Sequence, residues 1–238
     1  MDPRERLIVA LDVSSSAAAR QIVTAVGESA SIYKVGMQLY TAEGPPVVRD
    51  LIASGHRVFL DLKYHDIPNT VAAAVKEAAA LKVSMLTVHS SGGSKMLRAA
   101  TDAARSNPAL ITLAVTVLTS MAGSDLEEIG ISAEVTLQVL RLARMAIDCG
   151  CQGIVSSARE VSDLRRALGD EIAIVTPGVR PAGASHGDQA RVVTPAQAIA
   201  AGASHIVIGR PITEAPNPSA AARAILDEMT AIQVTAAR

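Results

Sequence analysis

Two acidic and two basic residues lie where they could act together on a charged substrate. Asp61 directly follows the apolar segment Arg57–Leu60, and Lys63 lies two positions further on. Because side chains two apart on an extended chain share one face, this carboxylate and this ammonium are expected to meet. Lys34 lies in an earlier apolar segment, and Asp66 follows Lys63 by three positions. Burying such an array costs desolvation free energy, which a purely structural role would not justify, but a preorganised electrostatic site would use it.

Structural interpretations of the same residues stay open. Asp61 and Lys63 could form a plain salt bridge at the end of a strand. Asp66 precedes Pro68, so it could merely complement the positive end of a helix that begins there.

A second group of residues could bind phosphate. Gly209 and Arg210 follow the last apolar segment; the glycine lets a backbone N–H approach an anion, and the arginine can bind it with two donors. The alternative is a tight turn with a solvated arginine. The segment Pro181–Val193 could be a lid that includes Gln189 as a phosphate donor, or a surface loop without function.

Other chemistries have little support. His65, Asp66 and Asp61 could hold a metal ion, but the spacing matches no metal motif. A lysine between the carboxylates would also compete with a cation, so no metal is predicted. No nucleophile elbow, Walker A loop or G-x-G-x-x-G occurs. Cys149 and Cys151 are expected to be buried thiols in a reducing compartment.

The elements that must position these residues alternate regularly along the chain. Eight short and mostly apolar segments are typical of parallel strands buried on both faces. They are Leu7–Leu11, Ser31–Val35, Arg57–Leu60, Met85–Val88, Leu110–Val117, Gln152–Val155, Ile172–Val175 and His205–Ile208. Ala-rich helical segments separate them. We therefore predict that residues 1–238 form one (β/α)8 barrel, with an open doubly wound sheet as the alternative.

Helix signals accompany most of these segments. Ser14–Ser16 can cap a helix that runs to about Val26, and prolines suit the first turns of two more. Those two begin at Pro45 or Pro46 and at Pro68, and the others span Ser94–Ala104, Ala133–Asp148, Ala158–Leu168, Thr194–Ala201 and Ser219–Gln233. A barrel places its chemistry at the C-terminal ends of its strands, where the polar residues above lie.

Composition narrows the possible partners. Apolar residues make up 49% of the chain and aromatic residues 2%, with a single Phe, so a core of Ala, Val, Ile and Leu is expected. The net charge of -1 without a Lys/Arg block argues against a nucleic-acid partner. No apolar run approaches the length of a membrane span, and a cytoplasmic protein is expected.

At Asp61–Thr70, D-L-K-Y-H-D-I-P-N-T, the chain resembles the orotidine 5′-phosphate decarboxylase family. Tyr64 replaces a common Phe, which should matter little. Shorter matches in the same order support the resemblance at Ala10–Asp12, Tyr33–Met37, Val115–Ser120, Pro177–Pro181, Asp188–Pro195 and Ile208–Pro211. It implies a metal- and cofactor-free homodimer that converts orotidine 5′-phosphate to UMP and CO2.

The resemblance also implies a role for each matching residue. Asp12 and Lys34 would hold the ribose, and Thr119 would contact the pyrimidine. The charged array would comprise Lys34, Asp61, Lys63 and Asp66, with Lys63 as proton donor and with Asp66 and Thr70 reaching the site from the partner subunit. Arg180, Gln189, Gly209 and Arg210 would bind phosphate. The alternatives are a Mg²⁺-dependent sugar-phosphate decarboxylase or hexulose-phosphate synthase, or a non-catalytic phosphate-ligand sensor.

Overall fold

The computed structural model describes residues 2–181 and 193–235, with side chains up to residue 231. In that part of the chain, eight parallel strands close into a barrel in sequence order. They are β1 (Leu7–Ala10), β2 (Ile32–Gly36), β3 (Arg57–Tyr64), β4 (Met85–His89), β5 (Ile111–Val115), β6 (Gly153–Val155), β7 (Ala173–Thr176) and β8 (His205–Ile208). Strand β1 pairs with β8 from Leu7↔Ile206 to Val9↔Ile208, which confirms the predicted closed barrel over the open sheet.

Helices surround the barrel. Within the described residues they are α1 (Ser16–Val26), α2 (Met37–Glu43), α3 (Pro45–Ala53), α4 (Pro68–Ala80), α5 (Gly93–Ala104), α6 (Gly123–Glu128), α7 (Val135–Asp148), α8 (Val161–Leu168), α9 (Pro195–Ala200), α10 (Arg210–Thr213) and α11 (Pro218–Thr235). The Ser15 hydroxyl caps α1 by accepting a hydrogen bond from the Ala18 N–H at 3.2 Å. Four helices begin with proline, which lacks only an N–H that the first turn leaves unpaired.

The core has two layers because successive strand residues point to opposite faces. Inside the barrel lie Ile8, Ala10, Ile32, Phe59, Met85, Leu113, Val175 and Val207. A larger cluster fills the space between the strands and the helices. The expectation of a purely aliphatic core was incomplete, since Phe59 fills the barrel interior and Tyr33 is fully buried in the outer layer.

The structure corrects several boundaries. Strand β5 ends at Val115 rather than Val117, since its pairing with both neighbours ends there. Strand β3 extends beyond Leu60 because Asp61 pairs with Gly36 and Tyr64 pairs with Val88. Sequence analysis missed α2, α6 and α10, which are four to seven residues long. Segments this short show too little periodicity to stand out from the loops that contain them.

The sequence predicted that the two cysteines are buried free thiols and that no helix spans a membrane. Cys149 and Cys151 are buried and form no disulfide, as predicted. Burial raises the pKa of the Cys151 thiol to about 12, with a further contribution from Cys149. Among the described residues, no helix has both the length and the apolar character needed to cross a membrane.

Candidate active site

A cavity of about 510 Å³ opens at the C-terminal ends of the strands. Strands β1, β2, β3, β6 and β8 and the segments that follow β5 and β7 contribute to its wall. The lining comprises Ala10, Asp12, Lys34, Phe59, Asp61, Lys63, Thr119, Val155, Pro177, Gly178, Arg180, Val207, Gly209, Arg210 and Glu214. Apolar residues of the barrel interior, Ala10, Phe59 and Val207, therefore form one part of the cavity wall, and side chains of both charges form the rest.

Four of these side chains form a line of alternating charge. The Lys34 Nζ lies 2.8 Å from Asp12 Oδ1 and 3.8 Å from Asp61 Oδ2. The Lys63 Nζ lies 2.9 Å from Asp61 Oδ1. Exposure is 11% for the Lys34 side chain, 14% for Asp61 and 28% for Lys63, whereas Asp12 is 58% exposed. The inner three charges are thus largely removed from water, where electrostatic interactions are stronger.

The backbone under this array is irregular. Strand β3 pairs with β4 at Leu60↔Leu86 and again at Tyr64↔Val88, so four steps along β3 match two along β4. Lys63 lies inside this bulge with a φ of 52°. The contact between Lys63 and Asp61 is present, but the expected reason, two side chains on one face of a regular strand, is wrong.

The phosphate-binding candidates lie in the same cavity. Arg180, Gly209 and Arg210 line it together with Thr119. Arg180 follows β7 and is only 8% exposed, and Arg210 begins the one-turn helix α10 directly after β8. Two guanidinium groups in a cavity with the charged array suit a ligand that has an anionic group at one end.

Two predicted site residues of the described chain do not line this cavity, and a third is not described. Asp66 and Thr70 are exposed and are absent from its lining. The Asp66 carboxylate accepts a hydrogen bond from the N–H of Ile67, the residue before α4, at 2.6 Å. Gln189, like most of the proposed lid, lies outside the described residues.

Two histidines stack near Lys63 of the array. The rings of His65 and His89 lie 5.3 Å apart at an angle of 21°. Burial, followed by the charges of His65 and Lys63, lowers the pKa of the His89 imidazole. A neutral His89 is the form that tolerates the neighbouring ammonium. Within the described residues, no three or more His, Cys, Asp and Glu side chains are grouped as they would be around a metal ion.

A second cavity, of about 480 Å³, lies between α1 and α3 on the outside of the barrel. Arg20 and Asp50 at its edge pair at 3.4 Å, and both are more than half exposed. Exposed pairs contribute little to stability, and no described strand has its C-terminal end at this second cavity. The cavity at the mouth of the barrel is therefore the candidate active site.

Comparison with known proteins agrees with this architecture. Residues 5–225 match the model of the orotidine 5′-phosphate decarboxylase / HUMPS family. Orotidine 5′-phosphate decarboxylase of Moorella thermoacetica is 50% identical over 240 residues, covering 98% of this chain and 95% of the relative. That of Anaeromyxobacter dehalogenans is 51% identical over 225 residues, covering 94% and 98%. The crystal structure of the Lactobacillus acidophilus enzyme superposes with a TM-score of 0.85 at 39% identity, covering 94% of this chain and 99% of that one.

The chain belongs to the orotidine 5′-phosphate decarboxylase / HUMPS family.

In this member of the family, sequence reasoning missed residues that support the array. A Cβ on Gly36 would lie 2.8 Å from Lys34 Nζ and 3.1 Å from Asp12 Oδ1, so a larger residue would displace that pair. The Thr87 hydroxyl contacts Asp61 and the backbone of Lys63. Glu214 adds a carboxylate to the cavity wall. Gly36 followed a predicted strand and Thr87 lay within one, so neither stood out from ordinary strand and turn residues.

Proposed function

We propose that this protein decarboxylates orotidine 5′-phosphate to UMP and CO2 without a metal ion or organic cofactor. One observation carries the proposal. The Lys63 ammonium is held 2.9 Å from Asp61 in a cavity that Arg180 and Arg210 also line. The ammonium proposed as proton donor and two guanidinium groups suited to phosphate therefore face one space large enough for a small nucleotide.

The reaction itself requires electrostatic help. The bond between C6 of the pyrimidine and its carboxylate breaks, CO2 leaves, and the electron pair stays on C6. No electron sink accepts that pair, so stabilisation of the developing charge must supply most of a rate enhancement near the upper end of the ~8–23 kcal/mol range of enzymes.

Lys63 is proposed to stabilise this charge and then to donate its proton to C6 as general acid. The resulting neutral amine regains a proton from solvent after UMP leaves. Asp61 is proposed to lie against the substrate carboxylate and favour its departure. The contact between Lys63 Nζ and Asp61 Oδ1 supports this assignment because it holds the ammonium beside the place where the carboxylate would sit.

The rest of the substrate is assigned to the remaining lining residues. Arg180, Gly209 and Arg210, with Gln189, would bind phosphate, and the energy of that remote contact would help to assemble the charges around the pyrimidine. The ribose hydroxyls are assigned to Asp12 and Lys34, and the pyrimidine edge to Thr119. All of these residues except Gln189 are described and line the cavity, which supports the assignment.

A homodimer is proposed to complete each site, with Asp66 and Thr70 supplied by the partner subunit. Both residues are exposed and do not line the cavity of their own chain. Ile67 lies between them and is 67% exposed, so the segment that contains all three residues is accessible to a partner subunit. Asp66 would then join the charged array across the interface.

The contacts of Asp61 support a reaction without a metal ion. Lys63 Nζ lies near one of its carboxylate oxygens and Lys34 Nζ near the other, so two ammonium groups occupy the positions that a cation would need. A Mg²⁺-dependent sugar-phosphate decarboxylase or hexulose-phosphate synthase would use these oxygens for metal binding instead.

The test is to mix the purified protein with orotidine 5′-phosphate in excess EDTA and to follow the ultraviolet spectrum for conversion to UMP. We expect complete conversion at a rate that added Mg²⁺ does not change. Activity that EDTA abolishes and Mg²⁺ restores would favour the metal-dependent alternatives. Tight UMP binding without turnover would identify a sensor.

A further inference from the structure

The bulge in β3 forces an unfavourable backbone conformation on Lys63. Its φ of 52° is in the left-handed region, which non-glycine residues with long side chains seldom adopt. Such a conformation persists only where surrounding contacts hold it in place. Because the side chain of Lys63 carries the proposed proton donor, whatever holds this backbone also sets where the ammonium points.

Thr87 of β4 lies where it can hold the Lys63 backbone in this conformation. Its position lies between Leu86 and Val88, the two residues at which β4 pairs with either side of the bulge. The Thr87 Oγ1 accepts a hydrogen bond from the Lys63 N–H at 2.9 Å and donates one to Asp61 Oδ1 at 3.0 Å. One hydroxyl thereby contacts both members of the ion pair.

These contacts close a small ring around the reactive pair. Asp61 Oδ1 accepts from Lys63 Nζ at 2.9 Å and also from the Thr87 hydroxyl, which in turn accepts from the backbone of Lys63. Thr87 is fully buried, so water cannot replace its hydroxyl without repacking the barrel interior.

This bonding is not a general property of buried threonines in the barrel. Thr112 of β5 is equally buried, and so is Thr176 of β7. Neither of their hydroxyls has a hydrogen-bond partner among the described residues. The hydroxyl of Thr87 is therefore set apart by its partners rather than by its burial.

We infer that Thr87 is a positioning residue for the decarboxylation: its hydroxyl holds Lys63 in the left-handed conformation and orients the Asp61 carboxylate, so that the ammonium faces the substrate. This inference rests on the proposed function, and Thr87 itself touches no reacting atom. Removal of the hydroxyl should consequently slow the chemical step more than it weakens nucleotide binding.

The experiment compares Thr87→Val, which keeps the shape but removes the hydroxyl, with Thr87→Ser, which keeps the hydroxyl. Thr112→Val is the control for an isosteric change at an equally buried threonine. We expect Thr87→Val to lower kcat by about 10- to 100-fold, as for a lost hydrogen bond to a charged group, with little change in KM or in UMP affinity. Thr87→Ser should recover most of kcat, and Thr112→Val should leave it close to wild type.

A second measurement does not depend on turnover. Hydrogen exchange of the Lys63 amide should be faster in Thr87→Val than in wild type and close to wild type in Thr87→Ser. If Thr87→Val does not fold, Thr87→Ala replaces it in both comparisons.

The outcomes separate the two proposals. A wild-type protein that fails to convert orotidine 5′-phosphate overturns the proposed function and, with it, the role of Thr87 in catalysis. A Thr87→Val variant with wild-type kcat, alongside an inactive Lys63→Ala variant, overturns the inference alone. Unchanged exchange of the Lys63 amide in Thr87→Val also overturns it, because the hydroxyl would then not hold that backbone.

Discussion

The two ends of the barrel both contain cationic side chains, but they use them differently. At the C-terminal mouth, the Nζ atoms of Lys34 and Lys63 contact carboxylate oxygens around a cavity. At the N-terminal end, the guanidinium groups of Arg6 and Arg165 donate mainly to main-chain carbonyls. The same kind of charge therefore faces a possible ligand at one end and the protein's own backbone at the other.

Arg165 of α8 shows the structural use most clearly. Its guanidinium donates to the carbonyls of Gly202, Gly169, Asp170 and Ile172 at 2.8–3.2 Å and to the Ser204 hydroxyl at 2.8 Å. These residues lie in the turns that lead into β7 and β8. A planar guanidinium with five donors can join several carbonyls of adjacent turns, which a lysine could not do.

The two ends differ in whether the cationic side chains can exchange their hydrogen-bond partners for a ligand. A guanidinium hydrogen-bonded to backbone carbonyls stabilises the fold and keeps these partners as long as the fold is intact. An ammonium paired with a carboxylate beside a cavity can take a substrate group as an additional or replacement partner. We therefore expect substitutions at the mouth to reduce activity, and substitutions at the opposite end to reduce stability.

The largest effect is expected for Lys63→Ala. Loss of the proposed proton donor should lower kcat by more than about 1000-fold, because both charge stabilisation and proton delivery disappear. UMP binding, measured by calorimetry, should largely survive because the residues proposed to bind phosphate are unchanged. Lys76→Ala, an exposed lysine of α4, is the matched control. Near-normal turnover in Lys63→Ala would refute the proton-donor role.

Arg165→Ala tests the opposite end of the barrel. It leaves several carbonyls without their donor, so we expect a loss of about 3 kcal/mol in the free energy of unfolding, measured with urea. The kcat of the folded variant should stay near wild type. Arg166→Ala is the control on the same helix, where an exposed pair with Asp163 is expected to contribute less than about 1 kcal/mol. A large fall in kcat for Arg165→Ala with unchanged stability would contradict the comparison.

Arg210→Ala should separate substrate binding from chemistry at the mouth. Loss of a charge-assisted contact with phosphate should weaken UMP binding by about 10- to 100-fold. Affinity for uridine, which has no phosphate, should change little, and this comparison serves as the internal control. If the variant binds UMP as tightly as wild type, the phosphate site has been misplaced.

The smallest effect concerns His205 at the start of β8, which is 6% exposed. Burial lowers its pKa to about 4, with smaller contributions from Arg57 and Arg6. Between that value and the ordinary pKa of about 6.5, the unfolded chain binds a proton that the folded protein excludes, so stability falls as pH falls. From pH 7 to 5.5 this group should remove about 1 kcal/mol of stability.

Urea unfolding of wild type and of His205→Asn at both pH values measures this contribution. The variant should show a shallower pH dependence over this range. Equal slopes in the two proteins would indicate that the pKa of His205 is the same in the folded and unfolded states, which would contradict the prediction.

Much of the fold could be predicted because its signals are local. Apolar runs, prolines at helix starts and the Ser15 cap act within a few residues, so all eight strands and eight of the helices were placed near their observed positions. The short helices and the bulge of β3 could not be predicted in this way. The Lys63 N–H, within that bulge, donates to the Thr87 hydroxyl, which is 24 residues away along the chain.

The sequence by itself determined the alternation of strands and helices, the family, and which residue types stand at the strand ends. It does so because periodicity and spacing are properties of neighbouring residues. Only the tertiary structure decided that Asp12, Lys34, Asp61 and Lys63 form one line of alternating charge, that Gly36 leaves room for it, and that Thr87 joins Asp61 to the Lys63 backbone. Those contacts arise from the side-by-side pairing of β1, β2, β3 and β4, which brings residues far apart in the chain within hydrogen-bonding distance.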